Sequence, residues 1–295
     1  MSKAQLDTIL QLAAEAPPPE SPSPDVMRAW FEAINEQTPL APGAVFDPLN
    51  HRPWSGEWVR PPRNDTRRLI IYYHGGGFLF GSSRSHRVIT SHLAMASGSS
   101  VLSVDYRLAP EYPAPTAHDD CFDVYRWALA QGFEASAIAL AGDSAGGNLS
   151  LSTALRARDE GLPVPGCIVM MSPALDLAGD GESHTTLQHA PLLTKELIDL
   201  FNGAYVQGGD LRSPSVTPLY SDLSGMPPTL IHVGSNELLV DDSVTVAKRL
   251  EQAACPVELK VWQDMVHCWQ LYGPMLEESM QSMEEIARFI MAHTS

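Results

Sequence analysis

Positive charge is scarce in this sequence, and no long apolar run interrupts it. Nineteen Lys and Arg stand against 35 Asp and Glu in 295 residues, for a formal net charge of −16 at pH 7 and a pI near 4.9. A surface of that sign repels polyphosphates, so neither nucleic acid nor an anionic membrane is an expected partner. No uninterrupted apolar stretch approaches the ~18 residues needed to span a bilayer, and the N-terminus lacks the basic patch, apolar core and small-residue cleavage site of a secretory leader. Stable membrane association is not expected, and the cytoplasm is the default location. Cysteine is scarce too. Cys121, Cys167, Cys255 and Cys268 lack metal-type spacing, and the first three fall in patterns that read as helix or strand interior. Four reduced, buried thiols are expected. Internal repeats are absent.

The remaining composition, 44% hydrophobic and 18% charged, is that of a stable globule with a large core. The length accommodates one large α/β domain with an appended cap, preferred here over two ordinary domains. Ala4 to Ala16 predicts an amphipathic helix, Pro17 to Pro24 breaks it, and Pro24-Asp25 opens a second helical pattern through Met27, Trp30, Phe31 and Ile34. These read as lid or packing helices.

From Ala44 the pattern changes to short extended runs: Ala44 to Asp47, Gly56 to Arg60 and Arg68 to Tyr73. Further apolar runs at Ser100 to Val104, Ala137 to Leu140, Cys167 to Met171, Thr229 to Val233 and Val257 to Val261 are separated by helical stretches. Strands alternating with helices predict an α/β fold with a mostly parallel sheet covered on both faces. Asp176 to Asp222 is too long for an ordinary crossover and reads as a second cap segment, with a helical patch around Thr194 to Tyr205. The expected division is cap helices at 1–40, catalytic core at 41–182, second cap segment at 183–222 and the rest of the core at 223–295.

Two glycine-rich stretches carry the chemistry. Gly142-Asp143-Ser144-Ala145-Gly146 follows a short strand and precedes a helical run from Leu149 to Arg158. A serine on such a sharp elbow is raised above the sheet, and the helix starting there aims free N–H groups at any charge that develops. His74-Gly75-Gly76-Gly77-Phe78 follows the strongest strand, where glycines turn main-chain N–H groups into a cleft, as an oxyanion hole requires. A plain turn and a flexible hinge are the bland alternatives for either motif alone.

A serine nucleophile needs a base, and the base needs a carboxylate. Both follow in order, each past a late strand: Glu237 after Leu230 to Val233, and His267 after Val257 to Trp262.

With these motifs the chain resembles the hormone-sensitive-lipase-like family of α/β-hydrolases, in its bacterial carboxylesterase branch. The resemblance extends from His74 to His267. It includes the HGGGF and GDSAGGN motifs and the segment Asp105-Tyr106-Arg107-Leu108-Ala109-Pro110-Glu111, which supports the site structurally in that family. It implies an α/β-hydrolase fold, with an eight-stranded, mostly parallel sheet and a helical cap. It also implies a serine esterase in which His267 takes the proton of Ser144, Glu237 orients His267, and the N–H groups of Gly76, Gly77 and Ala145 bind the oxyanion. No cofactor and no metal are called for. His184, His189 and His118-Asp119-Asp120 lack ligand spacing.

One departure stands out. Most relatives have aspartate where Glu237 stands, so Asp241 or Asp242 is the competing acid, although both also suit the N-terminus of a helix from Asp242 to Ala253. The expected partner is a small-molecule ester, and a homodimer is left open. An amidase or deacetylase would use the same groups. The family also includes plant hormone receptors that lack the histidine, a reading that the presence of His267 opposes. Trp30, Phe31, Leu187, Leu192, Leu193, Phe201 and Tyr205 are expected to line an apolar acyl pocket or to pack the cap.

Overall fold

The apolar runs pair edge to edge into one sheet in the computed structural model, which describes residues 2–19, 23–63 and 65–295. Its strands are β1 (Val45–Asn50), β2 (Ser55–Arg60), β3 (Asp65–Tyr73), β4 (Ser99–Asp105), β5 (Ile138–Asp143), β6 (Cys167–Met171), β7 (Thr229–Gly234) and β8 (Val257–Trp262). They lie in the order β1-β2-β4-β3-β5-β6-β7-β8. Only the β1–β2 and β2–β4 pairs are antiparallel. The expected eight-stranded, mostly parallel sheet is therefore present; β6 has its expected bounds, β2, β4, β7 and β8 run one residue further at one or both ends, and β1, β3 and β5 run three further at one end.

Helices cover both faces, and the side-chain alternation of a strand assigns each residue to one of them. Leu69, Ile71 and Tyr73 of β3 face a layer that includes α4 (Thr116–Ala130), α5 (Ala145–Asp159) and α8 (Val240–Gln252). Ile70 and Tyr72 face the opposite layer, built from α3 (Arg87–Ser97) and α9 (Glu277–His293). With both faces covered, the central strands have no polar side to show, and so they read as continuous apolar runs.

The two predicted N-terminal helices form as α1 (Lys3–Glu15) and α2 (Pro24–Asn35), the second capped by the Ser23 hydroxyl. Residues 20–22 of the proline-rich break between them lie outside the described residues. Leu6 and Ile9 of α1 pack with Met265, Val266 and Trp269, in the loop that carries His267. Within the long insertion a short helix α6 (Ser183–Thr186) precedes α7 (Lys195–Val206), where the helical patch was expected.

All four cysteines are free and buried, but Cys255 sits between α8 and β8, in neither a helix nor a strand. Pro256 follows it and ends the helical pattern that the apolar spacing suggested. No described helix is long and apolar enough to cross a membrane.

Candidate active site

The C-terminal ends of β3, β5, β6, β7 and β8 converge on Ser144. The elbow is strained as its sequence implies: Ser144 has φ 51° and ψ −118°, outside helix and strand alike. Its main chain is pinned on both sides, with N–H donated to Met171 O at 2.9 Å and its carbonyl accepting from Ala174 N at 3.1 Å. A Cβ at Gly146 would come within 1.8 Å of Tyr73 O, so only glycine lets α5 pass this close to β3. The helix starts at Ala145, four residues before the apolar run that marked it in the sequence. Ala145, as its first residue, has an N–H that the helix cannot satisfy.

His267 Nε2 lies 3.1 Å from Ser144 Oγ. On the other side of the ring, His267 Nδ1 stands 3.8 Å from Glu237 Oε1, and neither atom has a hydrogen-bond partner, although both are buried. Glu237 is fully buried, and its other oxygen accepts from the Ser172 hydroxyl at 2.7 Å. The rival acids point elsewhere. Asp241 accepts from Ser183 N at 2.7 Å, while Asp242 accepts from Leu175 N and Asp176 N and meets His184 Nε2 at 2.9 Å. Both do lie in the first turn of α8.

Cys268 Sγ is 3.4 Å from His267 Nε2. Burial, together with the nearby carboxylates of Asp143 and Glu237, pushes that thiol well up, so it stays protonated.

The glycine loop lies against the elbow at Asp143. Gly76, Gly77 and Phe78 all have positive φ, at 110°, 59° and 65°. The N–H groups of Gly76 and Gly77 donate to no group among the described residues, whereas the Gly76 carbonyl accepts from Leu79 and Phe80. Asp143 fastens the start of this loop to the elbow by accepting from Gly75 N at 3.0 Å and Tyr72 OH at 2.6 Å, with His86 Nε2 3.3 Å away. Burial works to raise this carboxyl, but the charge and hydrogen bond of His86 and the Tyr72 hydroxyl outweigh it and bring Asp143 down to about 2.

His74 is pushed down to about 3, chiefly by burial and then by His86, so it stays neutral and can donate Nδ1–H to Gly75 O at 2.7 Å. The Asp105–Glu111 segment props the same loop, through Tyr106 OH to His74 O at 2.8 Å and Ala109 N to Phe78 O at 2.9 Å.

Both expected cap segments rest on this loop. Arg28 of α2 donates to Leu79 O and Ala109 O and grips Glu111 with two hydrogen bonds, while Phe31 packs against Phe80 at 4.9 Å. From α7, Phe201 meets Phe80 edge-on at 5.3 Å and lies against Gly77. Tyr205 takes the packing role of the two that were expected. Its ring is fully buried on Phe78, and its hydroxyl donates to His118 Nδ1 at 2.7 Å. Leu193 is buried, whereas Leu192 is 39% exposed.

Burial brings His118 down to about 4, and this neutral ring also donates Nε2–H to Asn148 Oδ1 at 3.0 Å. His184 is engaged with Asp242, and His189 is exposed. Among the described residues no group of three or more His, Cys, Asp or Glu is placed to hold a metal ion. Sequence reasoning missed Ser172 and His86. The one available signal for Ser172 was its place just past the end of a parallel strand, which is also where Ser144, Glu237 and His267 stand.

Comparison with known proteins agrees with this architecture. A family with the alpha/beta hydrolase fold matches residues 70–271. An acetyl-hydrolase of Streptomyces hygroscopicus is 41% identical over 242 residues, covering 81% of this chain and 80% of its own. An esterase of Acinetobacter venetianus is 34% identical over 288 residues, covering 96% and 94%. Among solved structures, an esterase from the bacterial hormone-sensitive lipase family superposes with a TM-score of 0.95 at 36% identity over 99% of both chains. A hormone-sensitive lipase from a metagenome library gives 0.94 at 38% identity, over 100% of this chain and 99% of that one. The chain thus belongs to the α/β-hydrolases of the bacterial hormone-sensitive-lipase family, and it is a carboxylic ester hydrolase.

Proposed function

We propose that the protein hydrolyses short- to medium-chain carboxylic esters through an acyl-serine, with Ser144 as nucleophile, His267 as base and Glu237 as the acid behind it. The observation that carries this reading is the line of atoms from Ser144 Oγ to His267 Nε2 at 3.1 Å and from His267 Nδ1 to the otherwise unpartnered Glu237 Oε1. In this mechanism neutral His267 accepts the serine proton as Oγ attacks the ester carbonyl. The carbonyl oxygen becomes an alkoxide, held by the N–H groups of Gly76, Gly77 and Ala145. The imidazolium then protonates the leaving alcohol. Water, activated by the same ring, releases the acid. Glu237 keeps the ring in the tautomer whose Nε2 is free to accept. The 3.8 Å gap to Nδ1 closes as the ring gains charge, since catalytic contacts tighten when substrate binds.

Residues 1–40 and 183–222 act as the two cap segments over a core formed by 41–182 and 223–295. Arg28, Phe31 and Phe201 at the oxyanion loop support this division. Aromatic walls above the loop favour uncharged acyl groups, and each methylene adds roughly 0.8 kcal/mol while room remains. A space closed by two segments limits that gain to acyl chains of about two to eight carbons.

The test is kcat/KM across nitrophenyl esters from two to sixteen carbons, with and without prior organophosphate treatment. The expected result is a short-chain maximum abolished by the inhibitor. A maximum at twelve carbons or more, with activation at an oil interface, sinks the short-chain reading.

A further inference from the structure

We propose that Ser172 is a positioning residue for catalysis, an inference that rests on the Ser144–His267–Glu237 reading above. Ser172 directly follows β6, and its side chain is fully buried. Its N–H donates to His232 O of β7 at 2.7 Å, which fixes its main chain to the neighbouring strand. Its hydroxyl donates to Glu237 Oε2 at 2.7 Å and accepts from Cys268 N at 3.2 Å. One hydroxyl therefore ties the loop after β7, which carries the acid, to the loop after β8, which carries the base.

The consequence is specific to glutamate. A carboxylate on two methylenes has one more rotor than aspartate, and it delivers an oxygen to His267 only if that rotor is held. Ser172 occupies Oε2, leaving Oε1 as the oxygen that faces His267 Nδ1. The same hydroxyl holds the peptide N–H just beyond His267. A buried carboxylate also needs donors, and Ser172 is the one donor that Glu237's side chain has among the described residues.

The backbone at Ser172 makes the test clean. Its φ of 45° lies in the left-handed region, where glycine fits without strain, so Ser172→Gly removes the hydroxyl and suits the local backbone. The expected result is a kcat about 10- to 100-fold lower on a short-chain nitrophenyl ester, the range for losing a hydrogen bond to a charged group, with KM little changed and Tm lowered but the variant still folded, since the buried Glu237 carboxylate and the Cys268 N–H each lose a partner. Ser172→Ala, which keeps the Cβ, is expected to show the same kcat loss, and it decides the question should the glycine variant fail to fold.

Each substitution is then repeated in a Glu237→Gln background. A residue that acts through the carboxylate costs little once the carboxylate is gone, so the further loss there should be under about threefold. Equal fold-losses in both backgrounds, or wild-type kcat in the folded single variants, overturn the proposal. Failure of the triad reading looks different: Glu237→Gln alone would then stay active.

Discussion

On the glycine-loop side of the candidate site nearly every anchor is already engaged. The loop from His74 to Phe80 is held by Asp143, Tyr106, Ala109 and Arg28, and the N–H groups of Gly76 and Gly77, proposed above as oxyanion donors, donate to no group among the described residues. On the side of Glu237, the proposed acid, the pair stands open, with Glu237 Oε1 and His267 Nδ1 3.8 Å apart and without other hydrogen-bond partners among the described residues. The difference follows from what each side does. Main-chain dipoles contribute only if they need no reorganisation at the moment of reaction, so the fold fixes them in advance. A side-chain contact to a ring that changes charge can tighten during turnover, provided that one end is anchored.

The widest test acts on both sides at once. Ser144→Ala removes the atom that links them, so hydrolysis should fall to the residual ~10³ to 10⁴ over the uncatalysed rate, with the fold unchanged. Single-turnover assays on purified protein check it, and more than a few per cent of wild-type kcat would reassign the nucleophile. Next in size, Glu237→Gln should lower kcat by about 10³ to 10⁴, because a neutral amide neither fixes the tautomer nor offsets the imidazolium. Asp241→Asn should instead lower Tm while sparing kcat, since its carboxylate serves Ser183 N and the first turn of α8. The reverse ordering would move the acid to Asp241.

The fixed side is probed at Gly77. A Cβ there would approach the Phe201 ring to 2.7 Å at a φ of +59°. Gly77→Ala should therefore cost roughly 10² to 10³ in kcat by shifting an oxyanion donor. Combining it with Phe201→Ala removes the clash but not the backbone strain, so partial recovery is expected. No recovery at all would mean that Phe201 does not hold the loop from above.

What the sequence discloses follows the same division. The elbow and the glycine loop are legible because main-chain geometry restricts residue choice: no other residue replaces Gly146 1.8 Å from a carbonyl; Glu237 and His267 are picked out by their place past the late strands. The sheet is legible because buried parallel strands are uniformly apolar. Ser172, His86 and the partner of the Tyr205 hydroxyl are not legible. The groups that pair lie 65, 57 and 87 residues apart, and a serine, histidine or tyrosine carries no mark of the group it will meet. Cys255 misleads for a related reason, because its burial comes from tertiary packing and not from an element of its own.

The smallest effect concerns stability, and it separates the fixed side from the open one. Asp143 is fully buried and sits at about 2 in the folded chain, against roughly 3.9 for an unfolded aspartate. A depressed pKa gives stability that is present above the unfolded value and is lost as pH falls through the folded one, here between about pH 4 and pH 2. The linkage is worth on the order of 2 kcal/mol at neutral pH. Asp143→Asn should therefore be less stable than wild type at pH 7 in urea titrations, and the gap should shrink as both are taken from pH 5 to pH 2. A gap that stays constant across that window would show that Asp143 braces the glycine loop through packing alone, without its charge.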